Sequence, residues 1–218
     1  MCINERCKHH TRPSHVDDLQ SAYISLYHAR MTTDTSPSPN NNNGFELRWA
    51  TMPDLPALKV LMKRAIDSLQ SSFLSAEQVN ASHAIMGLDT QLIKDGTYLI
   101  AIKNGTIAGC GGWSNRATLY GGDHSIDLRK PEVLDPTKEP AKIRAMYTNP
   151  DFVRQGVGRL VLETCEKAAA QHGFTKVELM ATLSGQPLYT KYGYEVVEET
   201  EAIADNISIP LVRMRKTL

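Results

Sequence analysis

The sequence predicts a mixed α/β fold in which one sheet carries helices on its faces. Two observations predict it. Along residues 45–218, stretches with strand alternation and stretches with helical spacing follow one another in the order strand, two helices, hairpin, strand, helix, strand, short helix, two strands. Ahead of them, residues 32–44 read TTDTSPSPNNNNG, a polar run with nothing to bury, so residues 1–44 are expected to be an N-terminal extension and 45–218 the folded domain. No internal repeat is present.

Within the extension, Val16, Leu19, Tyr23, Leu26 and Tyr27 share one helical face, which predicts a short helix over 16–30. The domain opens with alternation over 45–49. Thr51-Met52-Pro53-Asp54 is a helix start of the capping-box kind, and Leu55, Leu58, Leu61, Met62, Ala65, Ile66 and Leu69 repeat at helical spacing behind it. A second helix is expected over 75–86, capped by Ser75. Two apolar runs, 98–102 and 107–113, flank Asn104-Gly105, which is a strong hairpin signal. Residues 114–141 are polar and rich in Pro and Gly and read as a long loop, a length that in compact domains is often functional. A strand over 143–147, a helix over 160–171, a strand over 176–181, a helical turn over 187–192 and strands over 195–198 and 209–214 complete the chain.

Composition narrows the function. With 24 basic and 24 acidic side chains the net charge is zero, which argues against nucleic-acid binding, where a basic excess pairs with phosphates. The four cysteines, Cys2, Cys7, Cys110 and Cys165, lack zinc spacing and fit reduced thiols. His9, His10 and His15 have no carboxylate or cysteine at ligand spacing, so no metal is expected. No stretch approaches the roughly 20 apolar residues of a membrane span, and the N-terminus lacks a signal-peptide block. A soluble, cytoplasmic protein is the expectation, with no membrane partner.

The stretch that carries chemistry is 146–160, MYTNPDFVRQGVGRL. An apolar strand ends at Asn149-Pro150, and a turn with Gly156 and Gly158 leads into an amphipathic helix. There Val161, Leu162, Cys165, Ala168 and Ala169 form the buried stripe, Arg159, Glu163, Glu166, Lys167 and Gln171 face water, and Gly173 is a natural C-cap. Such a turn suits an anion. The first amides of a helix have no internal partner, the helix dipole is positive there, and glycine lets a phosphate approach the main chain. Arg154 and Arg159 add charge. By itself Gly-x-Gly is equally a tight strand-to-helix turn. The dinucleotide-binding pattern wants a third glycine where Val161 stands, and the Walker pattern is missing.

Taken with its surroundings, this segment resembles the GNAT acyltransferase superfamily: strand, Asn-Pro-Asp-aromatic, Arg-Gln-Gly-Val-Gly-Arg, helix, Gly173-Phe174, strand, then Leu188-Tyr189-Thr190-Lys191-Tyr192-Gly193-Tyr194. The resemblance is specific over about 143–197, looser over 45–113, and does not reach residues 1–44. It implies a mostly antiparallel sheet of about six to seven strands with helices on both faces, and acetyl-CoA as cosubstrate without a metal. The family's pyrophosphate loop maps onto Val153, Arg154, Gln155, Gly156, Val157 and Gly158, with Arg159 behind it. Val153 stands where the family has Gln or Arg, which leaves the main-chain cradle without that side chain. The resemblance further implies that the strand at Met146 and Tyr147 pairs its backbone with the pantetheine arm, and that Tyr189, in Tyr-x-x-x-Gly-Tyr, protonates the departing thiolate. Phenol and thiol have comparable pKa values, which makes that transfer feasible. Tyr189 could equally be a core aromatic; Tyr192 is packing or a substitute for it.

Acetyl transfer to an amine also needs a proton acceptor and an oxyanion donor. Tyr147 or its neighbour Met146 supplies the main-chain N–H. Glu178 is the candidate base, pointing either into a cleft or into solvent. Asp123 and His124, in the long loop, are candidate substrate contacts or surface polarity, and Trp113 is either a wall of the acceptor pocket or a core residue. The expected function is N-acetylation of a small primary amine such as an amino sugar, polyamine or amino acid, by direct attack in a ternary complex. The rivals are a protein lysine or N-terminal acetyltransferase and a non-catalytic CoA-binding sensor. A homodimer is compatible with the sequence.

Overall fold

The structure is a computed structural model and describes residues 44–218. The expectations for 1–43, the short helix and the three histidines among them, lie outside the described residues.

Seven strands form one sheet in the order β1-β2-β3-β4-β5-β7-β6. Their ranges are β1 Glu46–Trp49, β2 Tyr98–Lys103, β3 Thr106–Ser114, β4 Ala141–Thr148, β5 Lys176–Thr182, β6 Glu195–Ala204 and β7 Ile207–Thr217. Every neighbouring pair is antiparallel except β4 and β5. The helices are α1 Leu55–Leu69, α2 Ala76–Ile85, α3 Thr90–Lys94, α4 Val157–Gln171 and α5 Gln186–Lys191. The mixed, mostly antiparallel sheet agrees with the fold class expected from the sequence.

Local signals account for most boundaries. Thr51 and Asp54 form a capping box, and Ser75 and Gln78 form a second one at the start of α2. Asn104 and Gly105 both take positive φ, 52° and 73°, the geometry that a two-residue hairpin requires. Two features were not legible. The five-residue α3 starts at Asp89, whose carboxylate accepts from the Gln91 amide. β6 and β7 are longer than expected and turn at Asp205-Asn206, both with positive φ, a hairpin without the glycine that would announce it.

Strand alternation sorts the core onto two faces. Leu99 and Ala101 of β2 join the α4 side with Ile143, Val161, Leu162, Cys165, Leu179 and Met214. Tyr98 and Ile100 point the other way, to α1 and α3, while α2 packs its Ala81 and Ile85 with Ile209 and Leu211 of β7. Because both faces are covered, β2 reads as a nearly continuous apolar run. Glu166, expected to face water, is instead buried and paired with Lys216 of β7 at 2.7 Å.

The glycines of β3 set how close α4 comes. A Cβ on Gly111 would lie 2.1 Å from Met146 Sδ and 2.9 Å from Val161 Cγ1, and one on Gly109 would lie 3.0 Å from Val157 Cγ2. No larger side chain fits there without pushing α4 away, so these glycines seat the start of α4 against the middle of the sheet.

Candidate active site

Parallel pairing between β4 and β5 covers only Ala141–Val177 and Lys142–Glu178. Beyond that the strands part. The cause lies in β4: Ala145 takes φ +51° and the β3–β4 register shifts between Cys110 and Gly112, which marks a bulge that turns the strand. The bulge is held from below. The buried Tyr98 hydroxyl donates to the Ala145 carbonyl at 2.8 Å and lies 3.1 Å from Cys110 Sγ. A cleft opens where the strands diverge, lined by the β4 residues Ile143 to Thr148, by Met180, Thr182 and Ser184, and by Tyr189 of α5. The β4 edge facing this gap has no ladder partner in β5, so its main-chain groups are available to a ligand.

The turn after β4 ends beside this gap. Asn149 donates to the Ile107 carbonyl and accepts from the Asp151 amide, while Arg64 of α1 reaches Asp151 at 3.1 Å. Arg154 follows with φ +63°, and Gly156, at φ +88°, is the N-cap of α4. Having no side chain, Gly156 cannot cap the helix. The first backbone bond back into it is Leu160 N–H to the Gly156 carbonyl, which leaves the amides of Val157, Gly158 and Arg159 without a partner inside the helix. Gly158 faces α5: a Cβ there would stand 3.2 Å from Leu188 Cδ2. Arg154 and Arg159 are exposed nearby, and Lys103 reaches Gln155 at 3.2 Å. Uncapped amides, a positive helix end and surrounding cations suit a diphosphate. Val153 is 41% exposed and turned outward.

Tyr189 is buried, lines the cleft, and packs edge-on against Tyr194 with ring centroids 5.7 Å apart. Its hydroxyl has no hydrogen-bond partner among the described residues. Burial, with Cys165 nearby, pushes its pKa above the ordinary phenol value, so it stays protonated with a proton to donate. Tyr147 is pinned differently, its hydroxyl accepting from the Gly87 amide at 2.9 Å.

Other sequence candidates fall elsewhere. Glu178 is 1% exposed and its carboxylate is taken up by Lys142 at 2.8 Å, Arg213 at 3.0 Å and Arg215 at 2.7 Å. Burial raises its pKa, but Lys142 and the two arginines outweigh that, and the group is held below its ordinary range. A carboxylate so occupied and outside the cleft has no proton to collect from an amine, which corrects the expectation of a base there. Trp113 is also a correction: 1% exposed, it packs near His172 and Phe174 on the α4 face and does not line the cleft. Asp123 accepts from the Thr90 amide and hydroxyl and pairs with Arg129 at 2.9 Å. The His124 ring lies behind Gly87 and Gly122, so neither loop residue lines the cleft. Tyr192 caps the end of α5, half-buried and outside the cleft.

The sequence reading missed the far wall, formed by Ile66 and Leu69 of α1 with Gln70 at its C-cap, Ile85, Met86 and Gly87 at the end of α2, and Tyr120 and Gly121 of the long loop. Their apolar members look like any core stripe. Arg144 was the available signal: an arginine inside an apolar strand needs partners, and it finds Asp89 and the Gly121 carbonyl, the latter at 2.7 Å.

A family model described as the acetyltransferase (GNAT) family matches residues 62–194. The chain belongs to this family. A search of curated protein sequences found no match. Among solved structures it is similar to a GCN5-related N-acetyltransferase from Rhodopseudomonas palustris, at 19% identity and TM-score 0.58, covering 79% of this chain and 94% of that one. It is also similar to the PaiA N-acetyltransferase of Thermoplasma acidophilum in complex with coenzyme A, at 16% identity and TM-score 0.53, over 80% and 99% of the two chains. A third likeness is to YncA of Salmonella typhimurium with acetyl-CoA, at 15% identity and TM-score 0.52, over 80% and 94%. These likenesses are of fold. As a GNAT acetyltransferase, the chain is an acetyl-CoA-dependent enzyme. Among the described residues no cluster of His, Cys, Asp or Glu is arranged to hold a metal, and no helix is long and apolar enough to cross a membrane.

Proposed function

We propose that this enzyme transfers the acetyl group of acetyl-CoA to the primary amine of a small molecule, by direct attack in a ternary complex. One observation carries the reading: the unpaired edge of β4 opens into a cleft beside the uncapped amides of α4.

In this reading the Val157, Gly158 and Arg159 amides, with the Arg154 and Arg159 side chains, hold the pyrophosphate. The β4 main chain from Ile143 to Thr148 aligns the pantetheine arm, and the N–H of Met146 or Tyr147 stabilises the oxyanion that forms when the amine attacks the thioester carbonyl. Collapse of that intermediate expels the thiolate, which takes the Tyr189 hydroxyl proton. With Glu178 engaged in its ion cluster, the amine's own proton leaves through water, and water returns a proton to the Tyr189 phenolate.

A small acceptor is favoured over a protein by the long loop. Tyr120 and Gly121 close one side of the cleft, and Arg144 fastens that loop to β4 through the Gly121 carbonyl. A cytoplasmic setting fits Cys110 and Cys165, both free and buried.

Titration calorimetry with acetyl-CoA, followed by a thiol-release assay over a panel of amines, tests the reading. Binding with turnover on at least one small amine is expected. Lack of affinity for acetyl-CoA overturns it; binding without turnover identifies a sensor, and turnover confined to peptides identifies a protein acetyltransferase.

A further inference from the structure

Resting on that reading of the cleft, we infer that the acceptor carries no second cationic group, so that monoamines are accepted and polyamines rejected.

The cofactor turn belongs to α4, on one face of the sheet, so the acceptor approaches the gap from the face that carries α1 and α2. There the wall is made by Ile66, Leu69, Ile85, Met86, Met180 and Leu211. Four of these are aliphatic and two are methionines, whose unbranched thioethers adapt to irregular apolar shapes. The polar side chains of this wall, Gln70, Tyr120, Thr182 and Ser184, are uncharged. Gln70 is 5% exposed and spends its amide on Met86 Sδ at 3.0 Å.

Charge settles the discrimination. Among the described residues no carboxylate lines the cleft, and the one charged group that does is a cation, Arg144. The carboxylate paired with it, Asp89, is 2% exposed and already holds Arg144 and Arg129. A second ammonium on the acceptor would lose its water, meet no counter-ion and sit near a guanidinium of like sign. An acceptor with a single amine brings no second ammonium to face Arg144.

The test compares kcat/KM for phenylethylamine and hexylamine with that for spermidine, at saturating acetyl-CoA. Acetyl-CoA binding is measured in parallel by calorimetry. The monoamines are expected to lead by about tenfold or more. Gln70→Glu, nearly isosteric, adds a carboxylate to the wall and is expected to shrink the lead over spermidine while acetyl-CoA affinity holds. Leu69→Glu, at a half-buried position, does the same if Gln70→Glu does not fold. A lead for spermidine in the unmodified enzyme overturns this inference and leaves the acetyltransferase reading standing. Acetyl-CoA binding with thiol release from none of the three overturns the small-amine reading and this inference with it.

Discussion

The two ends of the β4–β5 seam have opposite constructions. At the closed end, Ala141–Val177 and Lys142–Glu178 pair as a ladder, and the Glu178 carboxylate ties in Lys142 of β4 and Arg213 and Arg215 of β7. At the open end the same two strands are separated by a cleft with unpaired main chain on one side and the free Tyr189 hydroxyl on the other. The contrast teaches that an acidic residue near a reaction centre is not thereby part of it. Glu178 satisfies cations and holds the strands together, so that Ala145 can force them apart a few residues later.

Breaking the open end should have the largest effect. Tyr189→Phe is expected to lower kcat by about 10²- to 10⁴-fold, the usual contribution of a positioned acid. Acetyl-CoA affinity and melting temperature should change little, because the hydroxyl has no partner to lose. Steady-state kinetics with calorimetry reads both quantities, and a kcat within a few-fold of the parent would remove Tyr189 from the chemistry.

Breaking the closed end should cost stability instead. Glu178→Gln leaves three cations without their carboxylate and is expected to destabilise by about 3 kcal/mol, read from urea unfolding, with kcat kept below the new transition. The same group sets an acid limit. Its folded pKa is held below the ordinary 4.5, so on acidification the unfolded chain takes up the proton first. Its stabilisation is complete above the ordinary value and fades as pH falls toward the depressed one. Unfolding midpoints measured from neutral pH into this acid range should therefore fall more steeply for the parent than for Glu178→Gln.

Smaller effects sharpen the contrast. Gly156→Ala places a Cβ on a residue at φ +88° and should cost about 1 kcal/mol of stability. It should raise KM for acetyl-CoA about five- to tenfold with kcat unchanged, since the strain distorts the turn that presents the α4 amides. Tyr98→Phe removes the hydroxyl beneath the Ala145 carbonyl. A loss of about 1 kcal/mol in a thermal melt is expected, with a modest drop in kcat as the bulge loosens. An unchanged kcat would mean that the bulge keeps its shape without that bond.

Most of the architecture is written in short-range signals. The capping boxes at Thr51 and Ser75, the Asn104-Gly105 turn, the apolar alternation and the two glycines before α4 each act over a few residues, so a single sequence displays them. The anion turn and the Tyr189 motif were legible for the same reason. Whether Glu178 or Trp113 meets the cleft was not, because alternation gives the face of a strand but not what covers that face. α3 and the Asp205-Asn206 turn were missed because their signals, an Asp cap and a glycine-free hairpin, are weak ones.

By itself, then, the sequence determined the order and type of the elements, the glycine-led helix terminus after β4 and the Tyr189 motif that follows β5, since each depends on neighbours along the chain. Tertiary structure alone decided where β4 and β5 separate, which carboxylates are spent on ion pairs, and that no carboxylate among the described residues lines the cleft. Those properties arise where α1, α2, the long loop and β5 converge, residues far apart in sequence whose side chains reveal their partners only when the sheet has brought them together.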